Sequence, residues 1–493
     1  MRSTFFGLDI ARKALSAQSR ALDVTGHNIA NQATPGYSRQ RAVLTTTNPY
    51  TVPGMHNSTA AGQVGTGVQV SAIYRLRDSY IDYQLRSQSQ YLGKATAENQ
   101  TLDRVEGIFG DRKDGGIKTA ISQFFNAWQD LSRDGSNETV RAIVQQRGVA
   151  IADMFRHVDR QLHDVVDDIN RGIELTVTEV NSIVDRIASL NVQIQTNELG
   201  GKNANDLRDR RDLLIDELSQ QVNLHVFESN GQLSLVINGV SIVRHEAVTH
   251  MKLADAPDGD GIRQVVWVKA NGDEGNQVNA TSGRLAGLGS SREKTRGYMD
   301  KLDDLAREFA GAVNEVHKQG VNLEGAPGIE FFVGLSNSTD LKDISARHIH
   351  VNELIAEEDT GRNLIAAALK DPVTNEWAKG DGSNALAIAQ LRNKLLFLTD
   401  PADDTSGTAT LEQFYESILG ALGVDAQHAL HLLKNQTLLI GQLEQRRASV
   451  AGVSLDEEMT NMIQFQHAYN AAARLVTVID EVLDTLINRT GLR

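Results

Sequence analysis

Apolar residues near the start of the chain recur at alternating steps of three and four: Leu8, Ala11, Leu15, Leu22 and Ile29, with Gln18 and Thr25 completing the register. Near the end, Phe465, Ala468, Ala472, Leu475, Ile479, Val482 and Leu486 keep the same steps without a polar break. The mean step, about 3.5 residues, is that of a coiled coil. A second stripe, Met462, Tyr469, Val476 and Leu483, runs beside the C-terminal seam. Such a face is too wide for one partner helix. It is expected to pack on the N-terminal helix and to keep a surface for neighbouring copies.

Residues 4–31 are predicted helical, ended at Thr34-Pro35-Gly36, where proline fixes φ and glycine accepts the turn. Extended chain is predicted over 38–70, and helix over 74–109 and 117–131. One very long helix follows over 138–199, with Ile151, Phe155, Val158, Leu162, Val165, Ile169 and Ile173 on one face. Asn137 is placed to cap its start. Asn205 is expected to cap a shorter helix that ends at Gln220. The period then drops to two. Leu224 and Val226, then Leu233, Leu235 and Ile237, then Val240 and Ile242 alternate with polar residues around Asn230-Gly231 and Asn238-Gly239. This predicts a β-meander over about 222–281, with Val265–Val268 in the same sheet. Helix resumes over 282–319, residues 320–405 are mixed, and helices return from Leu411 with a break near Gly452. The expected fold is mainly α with a β-meander portion, an elongated multi-domain rod with paired N- and C-terminal coiled-coil helices. Its expected parts are a terminal assembly domain (1–40 with 455–493), a long-helix bundle (41–333 with 401–454), and a small mixed insertion (334–400), a reduced outer domain.

The 493 residues include no cysteine, so disulfides and thiolate metal sites are excluded. A net charge of −14 argues against nucleic acid and anionic membranes as partners. No stretch reaches the roughly 18 apolar residues of a membrane-spanning helix, so no membrane insertion is expected. The first residues lack the apolar core of a cleavable secretory signal. Candidate chemistry is thin. Ser291-Arg-Glu-Lys294 fits S-x-x-K without the accompanying K-T-G. His348 with His350, and His428 with His431, have metal-compatible spacing but no further ligands converge on them. Asp258-Gly-Asp260 opens like a calcium loop, yet Ile262 stands where a ligand belongs. Arg208 and Asp212, four apart, read as an ion pair on a charged helix face. No catalytic, cofactor or metal site is therefore expected, and the terminal stripes read as assembly surfaces.

Two segments resemble a known family. His27-Asn28-Ile-Ala-Asn31-Gln-Ala-Thr34-Pro35-Gly36-Tyr37 is similar to the N-terminal signature of bacterial flagellar axial proteins, the rod, hook and hook-associated proteins. Gly452–Arg474 is similar to their C-terminal signature. Ser38-Arg-Gln-Arg41, Asn205–Leu213, Gly320–Gly325 with Gly328–Phe332, and Gly382-Ser-Asn-Ala385 resemble the members that join hook to filament. Asn137 stands where relatives often have proline, and 334–400 is short for the outer domain many carry. The resemblance implies a structural subunit, cytoplasmic before export by the flagellar type III apparatus and extracellular afterwards, at the hook–filament junction. It implies polymerisation with itself, contacts with the hook protein and the filament-side junction protein, and an export chaperone on the C-terminal helix. The alternative is another axial protein, such as the hook protein or the filament-side junction protein.

Overall fold

Where the three-four pattern is strongest, the chain is helical. Helix α1 spans Phe6–Ala30, α2 Ser79–Phe109, α3 Ile117–Leu131, α4 Glu138–Glu198 and α5 Asn205–Gln221. After the strands come α6 Gly283–Gln319, the short α7 Glu353–Ala356 and α8 Ser383–Gln390, then α9 Leu411–Ala451 and α10 Leu455–Asp484. The computed structural model describes residues 5–50, 64–110, 116–229, 232–255, 263–269, 271–371, 376–397 and 408–485. Leu486, the Asn230-Gly231 turn and the Asp258–Asp260 loop lie outside them. The protein is mainly α, as the sequence predicts.

The longest helix, α4, has 61 residues, about 90 Å at 1.5 Å per residue. Asn137 caps it: its Oδ1 accepts from the backbone N–H groups of Thr139 and Val140. Two other expected starts are corrected. Helix α2 begins at Ser79 rather than 74, because strand β2 (Val68–Arg75) uses the preceding residues to pair with β1 (Gln40–Thr46). Asp78 then caps α2 through the N–H of Tyr80. Asn205 is not a cap, since Ala204 holds that position. Its amide instead reaches Ile73 O and Gln40 Oε1, tying α5 to the β1–β2 hairpin.

Residues fall into two compact units, 1–93 with 176–283 and 435–493, and 94–175 with 284–434. In the first unit the expected single meander is two sheets. Strands β3 (His225–Ser229), β4 (Gln232–Ile237), β5 (Val240–Arg244) and β6 (Ala247–Val248) form one antiparallel sheet. Strands β7 (Met251–Asp255), β8 (Arg263–Val268) and β9 (Glu274–Gln277) form the other. The split follows one side chain of α4. Asn181 on α4 takes both the N–H and the C=O of Met251, so β7 starts against the helix and not against β6. Between β4 and β5, Asn238 and Gly239 both have positive φ (47° and 83°), the hairpin geometry expected of Asn-Gly.

In the second unit, strands β10 (Phe332–Val333) and β11 (His350–Val351) make a small ladder. Only 5% of the chain is aromatic, yet this core gathers Phe124, Phe125, Trp128, Phe155, Phe309, Phe331 and Phe332. Ring centroids stand 5.2 Å apart for Phe124 and Phe309, and 4.9 Å for Phe331 and Phe332. Gly148 on α4 permits this, because a Cβ there would lie 2.6 Å from the Phe331 ring. His317 is sealed beside them. Its Nδ1 donates to Ile329 O and its Nε2 accepts from Ala366 N–H at 2.8 Å. Burial pushes its imidazole down to about 4. The unfolded chain takes a proton near pH 6.5 and the folded one does not, so stability falls as pH drops from about 6.5 towards 4. The expected loss at pH 4 is on the order of 3 kcal/mol. Urea unfolding at stepped pH checks this, and a flat midpoint across that window would exclude it.

Candidate assembly surface

Helices α1 and α10 pack on each other. Near the start of α1, a Cβ on Gly7 would lie 3.1 Å from Ile479. On α1 the buried positions are Ala11, Ala17, Ala21, Thr25 and Asn28, while Leu8, Leu15, Leu22 and Ile29 are half-buried. On α10, Ala472 is buried, and Met462, Phe465, Val476, Ile479 and Leu483 are half-buried. The seam thus mixes the two predicted stripes. Three of the predicted positions stay exposed: Tyr469 at 38%, Leu475 at 44% and Val482 at 55%. Met459, Ile463 and Val478, which the pattern reading missed, are more than half exposed. Helical geometry puts Leu475 and Val482 on one flank of the seam and Met459 and Tyr469 on the other, with Val478 and Ile463 turned further towards the back. Their signal was available as apolar residues outside the strict three-four steps.

The turn after α1 is built to hold this pair. Thr34 donates to Asn31 Oδ1, and Asn31 donates to His27 O. Pro35 leads into Gly36 at φ +75°, where a Cβ would stand 3.0 Å from Leu213 Cβ. Tyr37 donates its hydroxyl to Asn28 Oδ1 at 2.7 Å. Burial, then the carboxylates of Asp206, Asp209 and Glu458, push that phenol's ionisation up. Asn28 itself is 1% exposed. Its Oδ1 also accepts from Gln40 N–H, and its Nδ2 donates to Gln40 O and to Glu458 Oε2. Glu458, 2% exposed, takes a second donor from Arg39 Nε at 2.7 Å.

Beneath the turn lies an ionic layer. Ser38 N–H donates to Asp209, and Arg75 bridges Asp209 and Asp212 at 2.8 Å each. Arg77 reaches Asp212 and Asp82, Arg86 reaches Asp212 and Asp216, and Arg447 reaches Asp216. Burial raises Asp212, but Arg77, Arg86 and Arg75 outweigh it and hold its carboxyl at about 2. The expected Arg208–Asp212 pair does not form. Arg208 instead grips Glu198 with two hydrogen bonds. Of the thin candidate chemistry, Ser291 is fully buried, and Lys294 pairs with Asp425. His348 bonds Ser345 and His350 bonds Asn337. Among the described residues no cluster of three potential metal ligands is found.

The comparisons fall on the same elements. Residues 102–332 match the family described as "Flagellar hook-associated protein FlgK helical domain". Residues 8–37, α1 and its turn, match "Flagella basal body rod protein", and residues 444–489 match "Flagellar basal body rod FlgEFG protein C-terminal". Flagellar hook-associated protein 1 of Bacillus subtilis (strain 168) is 35% identical, covering 100% of this chain and 99% of its own length. The chain belongs to the flagellar hook-associated protein 1 family. The Escherichia coli (strain K12) member is 25% identical over 97% of the chain and 98% of its own. The solved structure of the flagellar hook junction protein FlgK from Burkholderia pseudomallei superposes with a TM-score of 0.64, covering 75% of this chain and 100% of that one. At 17% identity that likeness concerns the fold. Membership in the hook-associated protein 1 family makes this a structural protein of the flagellum. The two rod-protein matches are the two segments that Asn28 and Glu458 join.

Proposed function

We propose that this chain is the subunit of the zone joining flagellar hook to filament, and that it polymerises through α1 and α10 after type III export. The exposed apolar flanks of α10 carry the reading. Covering six half-exposed side chains yields roughly 1 kcal/mol each. Association itself costs about 4–15 kcal/mol. One flank alone does not exceed that cost, so the helix needs neighbours on both sides, as a subunit in a closed layer has. Neighbours above and below are the hook protein and the filament-side junction protein. In the cytoplasm the same flanks would aggregate, so an export chaperone on α10 fits them. The subunit is then extracellular.

The variant Leu475→Asp tests this. Leu475 is 44% exposed, so the free subunit should keep its circular dichroism and melting temperature. In the layer the aspartate would be buried against a neighbour, at a cost of several kcal/mol. Hooks should then lack filaments in electron micrographs. Wild-type filament numbers would refute the terminal-helix reading, and immunolabel spread along the whole hook would refute the junction assignment.

A further inference from the structure

We propose that α2 carries a second subunit interface: a strip of tyrosines that docks on α9 of the next copy of this chain. The idea rests on the assembly reading above but uses a different surface. Four of the chain's nine tyrosines lie between residues 74 and 91. On α2, Tyr80, Tyr83 and Tyr91 are 61%, 65% and 51% exposed. They share one helix face, because their spacings of three and eleven residues are close to whole turns. From residue 80 to 99 they are the only exposed residues. A helix facing water ordinarily shows charges there. None of the three hydroxyls finds a hydrogen-bond partner among the described residues. The helix behind the strip is held firmly, since Arg86 is fixed by Asp212 and Asp216, and Leu85 and Leu92 pack on Ile440 and Leu443. Exposed tyrosines on a rigid support give large contact area at small entropic cost, which is the character of a binding hot spot.

Charge identifies the occupant. Two copies of a chain carrying −14 repel wherever carboxylates meet. Residues 79–97 of α2 hold one carboxylate, Asp82, which is buried and paired with Arg77, and residues 426–443 of α9 contain no Asp or Glu. Within that second stretch, Leu438 is 68% exposed and Leu439 37%. These are apolar and aromatic surfaces on which like-charged copies can touch. If tyrosine strips met each other, the pair would close as a dimer. Tyrosine against leucine leaves one free patch on each end copy, so the contact propagates into a ring or helical layer.

The absence of cysteine makes the test direct. Full-length Tyr83→Cys and Leu438→Cys chains are produced together in cells lacking the native copy, and isolated flagella are oxidised. A disulfide-linked dimer should form at least roughly tenfold more than with either variant alone. In parallel, the triple variant Tyr80→Ala, Tyr83→Ala and Tyr91→Ala should keep its monomer melting temperature and lower the fraction of hooks bearing filaments about tenfold or more, as loss of a hot spot does. No excess cross-link with normal assembly of the triple variant overturns the proposal. If Leu475→Asp blocks assembly in the same strain while the triple variant assembles fully, the terminal-helix reading stands and this one falls. If Leu475→Asp also assembles normally, the terminal-helix reading falls, and the cross-link alone decides the α2 contact.

Discussion

Replacing Asp212 with alanine should destabilise the first unit by about 3–5 kcal/mol, the cost typical of breaking a buried ion pair. The layer balances Arg75, Arg77, Arg86 and Arg447 against Asp82, Asp209, Asp212 and Asp216, four charges of each sign. Asp212 sits at its centre, with Arg75 at 2.8 Å, Arg77 at 3.0 Å and Arg86 at 3.3 Å. Without it one positive charge is left uncompensated where water is scarce. Asp212→Asn keeps the shape and should cost nearly as much, which separates charge from packing. The pH dependence has a definite sign. A carboxyl held at about 2 stabilises the fold above its unfolded value near 4, and that contribution disappears as pH falls through 2. It amounts to on the order of 2 kcal/mol. The stability gap between wild type and Asp212→Asn, read from urea unfolding, should therefore narrow between pH 5 and pH 2. A gap that stays constant would mean that the carboxylate's charge is not what holds the layer.

Local pattern and long-range pairing were unequally legible in the sequence. Helix α4 could be read from its apolar steps and from Asn137, because both signals lie within a few residues of what they determine. The Asn238-Gly239 hairpin was legible for the same reason. The start of α2 was not, since Tyr74 is apolar enough to continue a helix and only its pairing with Arg41 shows it to be strand. The break between the two sheets depends on Asn181, 70 residues away from Met251. Periodicity found the α10 face, but a strict heptad count cannot say which residues of two adjacent stripes meet α1. Leu475 and Val482 were placed in the seam and lie outside it. Arg208 and Asp212 looked like partners by spacing, whereas Glu198 and the guanidiniums of the hairpin and α2 bind them more closely. The signature His27–Tyr37 was recognisable as a unit, yet its chemical content, an asparagine with every hydrogen bond satisfied, appears only when residue 458 is beside it.

That asparagine supports the second large effect. Asn28→Ala should cost roughly 3–5 kcal/mol and loosen α10 from the hairpin. Asn28 supplies acceptors for Tyr37 and for Gln40 N–H, and donors for Gln40 O and Glu458. Among side chains this short, only asparagine offers two donors and two acceptors. Alanine strands those buried partners, each at about 1–3 kcal/mol if no water reaches it. The link spans 430 residues, so its loss should appear as faster amide exchange at the start of α10 and the end of α1, with the aromatic core around Phe124 unchanged. Asn28→Asp should be worse at neutral pH, because it sets a second carboxylate against Glu458. Acid should then recover part of the loss as the two share a proton, a gain by the variant, whereas the Asp212→Asn gap narrows because the wild type weakens. If exchange in α10 is unaffected by either variant, Asn28 is not the clasp.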